Sequence, residues 1–585
     1  MRAALKNLLP AAASCALLLL VLEGGSRLLL RYRPQPQRAD YLWDWEKQWQ
    51  GDFYTMASDE SGWPPGAEFN GDGLRDRSHA VEQPEGVARL AFLGDSVTFG
   101  HGLEPGEAYP QVLQALLEEE GRPVEVLSAA LWGWSTRQER IAYERLVRRY
   151  RPERVVVAVC LNDIPEMKNN LQRPPQWLAA LHERLALVRV LVNAPGREIQ
   201  SVEELFTRRE QAKVREGFAL FFAELRALRD EVAKDGASLA LAVLPFRFQL
   251  AKDAPPPSVQ AEIAEFCKAE RLACLDLLPA LRRAGEESFL DYDHLSVAGA
   301  RLVASELFAS ELVPKPRSAR ELLAGRAPLP SLDASDPALR AAACWALGRE
   351  GAPVPDAALK RLAELLRADA SERVRAAAAA ALGRVGEAAR SAKPALVEAL
   401  SAERASVRWA AADALHRIGP GPAEAPGLVA ALDSGDAYVR AFATFSLGEL
   451  GSTAGEQAAQ ALAERVRKEG GAGKAGAARA LSKMGGAAKT AVPMLIAELR
   501  SEREQRRWRA ARTLGRIGPD ARDAVGALLV ALKDPSESVR AQAARSLGRI
   551  GSRDAIAGLV AAVKQDPSRE VRDEASRALS RIPGA

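Results

Sequence analysis

Little in this 585-residue chain points to metal or redox chemistry. Its five cysteines stand at 15, 160, 267, 274 and 344. No two form a CxxC pair, and none joins a histidine at zinc-like spacing. Buried or idle thiols are the expectation, with a Cys267–Cys274 disulfide as the alternative if the chain is exported. No metal and no organic cofactor is called for. Charge of one sign is also scarce: 80 Lys and Arg face 76 Asp and Glu, a net of +4. That balance gives no reason to expect nucleic acid or a strongly charged substrate. Long apolar runs are equally few. The run Leu8–Leu22 is 15 residues, short of the roughly 20 that a bilayer-spanning helix needs.

What is present at the amino terminus is a targeting pattern. Arg2 and Lys6 precede the apolar run, and Gly24 and Ser26 follow it. Residues 1–33 therefore read as a signal peptide or an uncleaved membrane anchor, with the rest of the chain exported. Arg27, Arg31, Arg33 and Arg38 also follow the run, so charge does not fix its orientation. Cys15 lies inside the run, which argues against a lipoprotein. The alternative is a hydrophobic first helix packed on a cytosolic domain.

Residues 34–88 are rich in Pro, Trp, Asp and Gly and predict loops and a short hairpin packed on the next domain. From 89 to 313 strand and helix patterns alternate. Strands are expected at Arg89–Leu93, Val124–Leu127, Arg154–Val159, Ser238–Leu244 and Leu272–Leu275. Helices are expected at Glu107–Gly121, Arg137–Tyr150, Lys213–Asp235, Val259–Glu270 and Val297–Glu311. This alternation implies an α/β three-layer sandwich with a parallel sheet. Residues 314–332, with Pro314, Pro316, Pro328 and Pro330, read as a linker.

After the linker the chain repeats. A helix-like segment ends in glycine at 351, 386, 419, 451, 485, 518, 551 and 584, at intervals of 32 to 35 residues. That period marks a helical solenoid of about eight repeats over 333–585. Each glycine falls where a helix ends and a left-handed residue is needed. The region resembles short, Ala-rich HEAT repeats, which implies an all-α solenoid and a protein partner or substrate-bearing polymer on its concave face. One basic residue recurs eleven positions before each glycine: Arg340, Arg375, Arg408, Arg440, Arg507 and Arg540, with Lys474 in one repeat. Arg–carboxylate contacts between neighbouring repeats explain this column better than a ligand does. Arg506-Arg507-Trp508-Arg509 reads as a helix start with a solvated face. The stretch from Gly470 to Ala475 fails as a phosphate loop, since Ala475 stands where Ser or Thr should be, and reads as a loop in a worn repeat.

Chemistry concentrates in the first half. Gly94-Asp95-Ser96-Val97-Thr98-Phe99-Gly100 follows an apolar strand, so Ser96 sits on a tight turn at the sheet's carboxyl edge, where open α/β sheets bind ligands. A hydroxyl becomes a useful nucleophile when a base takes its proton. Asp291-Tyr292-Asp293-His294 supplies one, and His294 alone among the five histidines lies in a DxxH context. Asp291 is the better partner for it, because a three-residue offset lets one loop present both groups, although Asp293 is nearer in sequence. His101 reads as an exposed loop histidine that could touch the cleft. Trp132 and Trp134 could stack a sugar or line an acyl pocket, or simply pack against loops.

Four blocks occur in order: 94–100, 128–136, Leu161-Asn162-Asp163 and Asp291-x-x-His294. Together they resemble the SGNH (GDSL) hydrolase family over about residues 65–313, including the lead-in Asn70 to Arg75. The resemblance implies a flavodoxin-like fold with Ser96 as nucleophile, His294 as general base and Asp291 as its orienting carboxylate. It also implies an oxyanion hole from the Ser96 and Gly133 backbone N–H groups and the Asn162 amide. Cys160 stands where the family usually has glycine, two residues before the Asn. The implied activity is an exported serine ester hydrolase acting on an acylated carbohydrate or lipid through an acyl-serine. An O-acyltransferase on the same fold, or a membrane-tethered repeat scaffold with a vestigial catalytic half, are the alternatives.

Overall fold

In the computed structural model, the described residues are 22, 47–49, 53–56, 69–166, 197–349, 354–468 and 471–583. Apart from Leu22, the targeting segment therefore lies outside the described residues, as do His182 and most of the 34–68 stretch. No helix among the described residues is long and apolar enough to cross a membrane.

A short antiparallel pair, β1 (Lys47–Trp49) and β2 (Tyr54–Met56), precedes the main sheet. That sheet has five parallel strands: β3 (Ala88–Gly94), β4 (Val124–Ala130), β5 (Arg154–Cys160), β6 (Ser238–Leu244) and β7 (Ala273–Asp276), in the order β4-β3-β5-β6-β7. Val155, Val156, Val157 and Val159 on β5 are fully buried, each contributing roughly 1.5–3 kcal/mol of transfer free energy. A run apolar on both faces is what a strand covered by helices on both sides requires. The covering helices include α1 (Ser96–Phe99), α2 (Tyr109–Glu120), α3 (Thr136–Ala142), α4 (Asp163–Glu166), α5 (Ala212–Lys234), α6 (Ser258–Glu270) and α7 (Val297–Ala309). The expected α/β fold is thus the one found. One helix differs: the single span foreseen at Arg137–Tyr150 is α3 followed by a wide turn over Tyr143–Val147 and a tight one over Arg148–Tyr150.

The carboxyl-terminal half is all helical. Its repeats alternate a long helix ending near the recurring glycine with a second helix that packs on its outer side. Gly386, Gly419, Gly451, Gly485, Gly518 and Gly551 all have positive φ, so each serves the chain reversal the sequence implied. The long helices approach one another closely. A Cβ on Gly383 would lie 2.7 Å from the Ala414 Cα, and one on Gly548 2.6 Å from that of Ala578. Small residues permit this spacing, and the tighter row forms the inside of the curve.

The arginine column closes the seams of this row. Arg340 donates to Asp369 at 2.7 and 2.8 Å, Arg507 to Asp534 at 2.6 and 2.9 Å, and Arg540 to Asp566 at 2.8 and 3.2 Å. Arg408 bonds Asp436 in the same way. Each also donates to a carbonyl six residues back, as do Arg375 and Arg440. In the last repeat Arg572 makes those carbonyl bonds, one place out of register with the column. Lys474 has no described side chain. One local expectation needs correction: Gly471–Lys483 is a helix, not a loop, since its small residues suit the crowded inner row. The stretch 314–332 contains two short helical turns, Ala319–Leu322 and Pro328–Ser331, and the Ala319 N–H bonds the Gly121 carbonyl.

The α/β half seats on the first three long helices of the inner row. Trp345 donates to the Glu118 carbonyl at 2.7 Å, Ala319 to that of Gly121 at 2.8 Å, and Arg404 pairs with Glu82. Ser371 bonds Glu85 at 3.0 Å. Further along, Ser536 bonds Glu504 and Ser568 bonds Glu537 in the same sense. Glu85 thus takes the place of a preceding repeat's glutamate. These contacts meet the loops that enter β3 and β4, at the end of the sheet opposite Ser96. Three of the eight long helices expected to face a partner are therefore taken up by the chain's own first domain.

Candidate active site

The turn carrying Ser96 is built by four neighbours. A Cβ on Gly94 would lie 2.1 Å from Thr98 Oγ1, so only glycine fits beneath the helix that follows. Asp95 caps that helix, its carboxylate accepting from the Val97 N–H at 2.9 Å. Gly100, at φ 78°, ends it, and His101 N–H bonds the Ser96 carbonyl at 3.0 Å. Arg75 then clamps the exit, donating to the carbonyls of Phe99, Gly100 and Leu103 at 3.1, 2.7 and 2.6 Å. In the sequence Arg75 is simply the last residue of the lead-in Asn70 to Arg75. Its spacing from the Ser96 turn says nothing of a contact formed across 24 residues of chain.

The strands deliver three more groups to the same edge. In register, Gly94 pairs with Ala130, and Leu93 with Val157. The segments after β3, β4 and β5 therefore emerge side by side and carry Ser96, Gly133 and Asn162. Gly133 has φ 65°, a left-handed turn that a side chain would strain. Tyr54 on β2 donates its hydroxyl to the Trp132 carbonyl and so fixes the loop from the outside. Asn162 donates its side-chain amide to Asp95 at 3.2 Å. Cys160 is fully buried at the end of β5, and its N–H bonds Asp163 at 3.1 Å, so the turn closes without the usual glycine.

The loop before α7 completes the group. His294 Nε2 lies 2.9 Å from Ser96 Oγ. Its Nδ1 faces both carboxylate oxygens of Asp291 at 3.1 Å, and Asp293 at 3.0 Å. Asp293 is 1% exposed, whereas the Asp291 side chain is 33% exposed. The two carboxylates therefore share one imidazole edge, a feature that choosing between them by sequence could not show. Burial disfavours the imidazolium, but Asp293 and Asp291 outweigh it and raise the His294 pKa to about 10. Burial likewise opposes charge on Asp291, and the His294 hydrogen bond overcomes it, holding that carboxyl well below its usual range. The ligand atoms of Asp291, Asp293 and His294 lie within 4.8 Å of one another. Such a cluster could hold a cation, but Nδ1 is already engaged by both carboxylates and Nε2 by Ser96.

Beneath the turn lie further acids. Burial raises the Asp95 pKa to about 6, against the hydrogen bond from Val97. Glu139 on α3 is fully buried, and burial together with Asp95 pushes it well above the ordinary carboxyl range. Nothing in the sequence singled out Glu139, because its neighbour Asp95 is brought close only by the sheet.

The aromatic residues divide. Trp132 is half-buried, its ring 4.4 Å from that of Phe99, and its indole N–H donates to His101 Nδ1 at 3.0 Å. Trp134 is completely buried, with ring centroids 5.1 Å from Phe53 and 6.5 Å from Tyr54. It is a packing residue under the hairpin, which corrects the expectation that it lines a pocket. His101 is corrected as well. It is not a bystander on an exposed loop, for its ring lies 4.7 Å from that of His294. Cys267 and Cys274 carry free thiols in this structure.

Residues 92–302 match the GDSL-like Lipase/Acylhydrolase family, and residues 359–438 and 492–580 match HEAT repeats. No curated protein matches the chain in sequence. Similar solved structures include a putative lipolytic protein of the G-D-S-L family from Desulfitobacterium hafniense DCB-2. It is 16% identical with a TM-score of 0.25, over 39% of this chain and 99% of that one. A catalytic mutant of Axe2, an acetylxylan esterase from Geobacillus stearothermophilus, is 17% identical with a TM-score of 0.27, over 40% and 99%. The psychrotrophic esterase EstA from Pseudoalteromonas sp. is 14% identical with a TM-score of 0.25, over 38% and 95%.

Proposed function

We propose that this chain, which joins a GDSL-like acylhydrolase domain to HEAT repeats, cleaves carboxylic esters through an acyl-serine intermediate. The observation that carries the mechanism is the 2.9 Å approach of His294 Nε2 to Ser96 Oγ, with Asp291 behind Nδ1. His294 takes the Ser96 proton as the hydroxyl oxygen attacks the ester carbonyl. Asp291 and Asp293 hold the imidazole in the tautomer with its free nitrogen toward serine and stabilise the cation that forms. Charge growing on the carbonyl oxygen is met by the Ser96 and Gly133 N–H groups and the Asn162 amide. Removing one such donor commonly costs about 3–4 kcal/mol in the transition state. His294 then returns the proton to the leaving alcohol, and water, activated by the same imidazole, releases the acid.

The substrate class in this reading is an acylated carbohydrate or lipid, removed in the manner of an O-deacetylase or acylesterase. Trp132 supports it, as a half-buried aromatic face beside the two histidines. Export, through an anchor or signal at residues 1–33, rests on Arg2 and Lys6 before the run Leu8–Leu22. Hydrolysis of p-nitrophenyl acetate by the full chain and by Ser96→Ala tests the mechanism. The variant should keep its fold by circular dichroism and lose activity at least a thousandfold. Activity close to wild type would remove Ser96 from the reaction. Protease shaving of intact cells tests export, and a protected carboxyl terminus would refute it.

A further inference from the structure

One peptide unit at the site is held from two sides. It joins Trp132 to Gly133, and its N–H is the Gly133 donor proposed for the oxyanion. A trans peptide points its C=O and its N–H in opposite directions. Tyr54, on the hairpin, donates its hydroxyl to the Trp132 carbonyl, so the Gly133 N–H of the same unit faces away from the hairpin. The turn around it is tight: the Trp134 N–H bonds the Leu131 carbonyl at 3.3 Å, with Gly133 at φ 65° between them.

The second hold is on the Trp132 side chain. Its indole N–H donates to His101 Nδ1 at 3.0 Å. An indole N–H can only donate, so this bond occupies the Nδ1 lone pair. His101 is in turn tied to the nucleophile, since its backbone N–H bonds the Ser96 carbonyl at 3.0 Å. The indole ring also packs 4.4 Å from Phe99, a residue of the Ser96 turn, and the Arg75 guanidinium lies 4.7 Å from the Phe99 ring centre. Ser96 and Gly133 are therefore joined through two hydrogen bonds and one indole, as well as through the length of chain between them. The His101 ring stands 4.7 Å from that of His294, which invites a role as a second base. The geometry gives that role to His294 alone: its Nε2 meets Ser96 Oγ at 2.9 Å, whereas His101 Nδ1 meets an indole.

We propose that His101 is a positioning residue: by accepting from the Trp132 indole, it sets the 132–133 peptide so that the Gly133 N–H meets the oxyanion formed at Ser96. The inference rests on the acyl-serine reading of this site. A donor aimed at developing charge acts mainly in the transition state, and its effect falls steeply when it is misplaced. Cutting the His101–Trp132 bond should therefore lower kcat much more than it changes KM. Cutting it from either end should cost the same, and cutting it from both ends should cost no more than once.

The test uses the full chain, p-nitrophenyl acetate kinetics and inhibition by phenylboronic acid. The tetrahedral adduct of that acid with Ser96 places an oxygen where the ester's oxyanion would sit. His101→Phe should lower kcat about tenfold, leave KM within threefold and weaken boronate inhibition by a factor similar to that in kcat. Trp132→Phe, which deletes the donor and keeps a ring, should do the same, and carries the test if His101→Phe fails to fold. The double variant should be within twofold of either single one. His101→Asn, whose amide oxygen can stand where Nδ1 stood, should recover most of the loss. The inference is overturned if the two losses multiply, if KM rises while kcat holds, or if kcat falls while boronate inhibition stays unchanged. Near wild-type turnover by Ser96→Ala would overturn the acyl-serine reading and this inference with it, whereas the other three results overturn the inference alone.

Discussion

Asn162 donates its side-chain amide to Asp95 across 3.2 Å, so the residue before the nucleophile orients a donor that arrives from the neighbouring strand β5. Ser96 and Asn162 are thereby held to one frame. Asp95 bonds the Val97 N–H with its other oxygen, which ties that frame to the helix the serine begins. A carboxylate buried this completely is costly on its own, as its raised pKa of about 6 records.

Asp95→Asn should therefore lose activity without losing stability. The amide keeps the shape but can turn an N–H toward Asn162 where an acceptor is required. A fall in kcat of about ten- to a hundredfold, with KM changed less than threefold, is expected. Thermal unfolding at pH 7 should be unchanged or higher, since a buried charge is removed. Unfolding at a markedly lower temperature, with kcat intact, would make Asp95 a structural cap and nothing more.

The second carboxylate on His294 sets the pH range. With the imidazole pKa raised to about 10 by Asp293 and Asp291, the base form grows only as the solution becomes alkaline. The acid limb of kcat/KM should therefore lie well above 6.5, the ordinary histidine value. Asp293→Asn removes one charge and should move the limb toward lower pH, raising relative activity at pH 6. The stability sign runs the opposite way. A raised imidazole pKa stabilises the fold fully below about 6.5, and that contribution fades as pH climbs toward about 10. Rate profiles from pH 5 to 10 check both, and an unshifted limb in Asp293→Asn would show that its charge does not reach the base.

Tyr54 reaches the site from the β1–β2 pair, far outside the four sequence blocks. Tyr54→Phe deletes the hydroxyl bonded to the Trp132 carbonyl and leaves the ring. We expect kcat to fall about three- to tenfold, with a loss of roughly 1 kcal/mol in stability. Stopped assays on short acyl esters, beside a urea melt, separate the two effects. An unchanged kcat would mean that the Gly133 loop keeps its shape without the hairpin.

In the solenoid, Arg540→Ala breaks the bond to Asp566, a carboxylate that also accepts from the Ser568 N–H. Both side chains are largely buried, at 12% and 6% exposure. Destabilisation of about 2–4 kcal/mol is expected, with esterase activity intact, because one partner of a buried pair is left behind. A calorimetric trace in which the α/β half's transition moves by as much as the solenoid's would contradict a loss confined to the repeats.

What was legible from sequence was local or periodic. The β5 valines announced a strand covered on both sides. The glycine period announced the solenoid, and the arginine column announced the seams between its repeats. Ser96 and His294 were legible because each stands in a short pattern. The rest depended on chain segments meeting from a distance. Trp134 looked like Trp132 until the hairpin covered it, and His101 looked like a loop residue until the Ser96 turn set it beside His294. Glu139 became a perturbed acid only through Asp95. The occupation of the inner face could not be foreseen either, because it rests on Glu82, Glu85 and Glu118, which resemble any surface glutamates.

The account stands or falls on a covalent bond to one oxygen atom. Rapid mixing of the full chain with excess p-nitrophenyl acetate, quenched in acid and digested for mass spectrometry, reads it directly. One acetyl group on the peptide containing Ser96, formed with a burst of nitrophenolate and absent in His294→Ala, is the predicted result. Turnover with no acyl group on Ser96, or with the label on another residue, would contradict it.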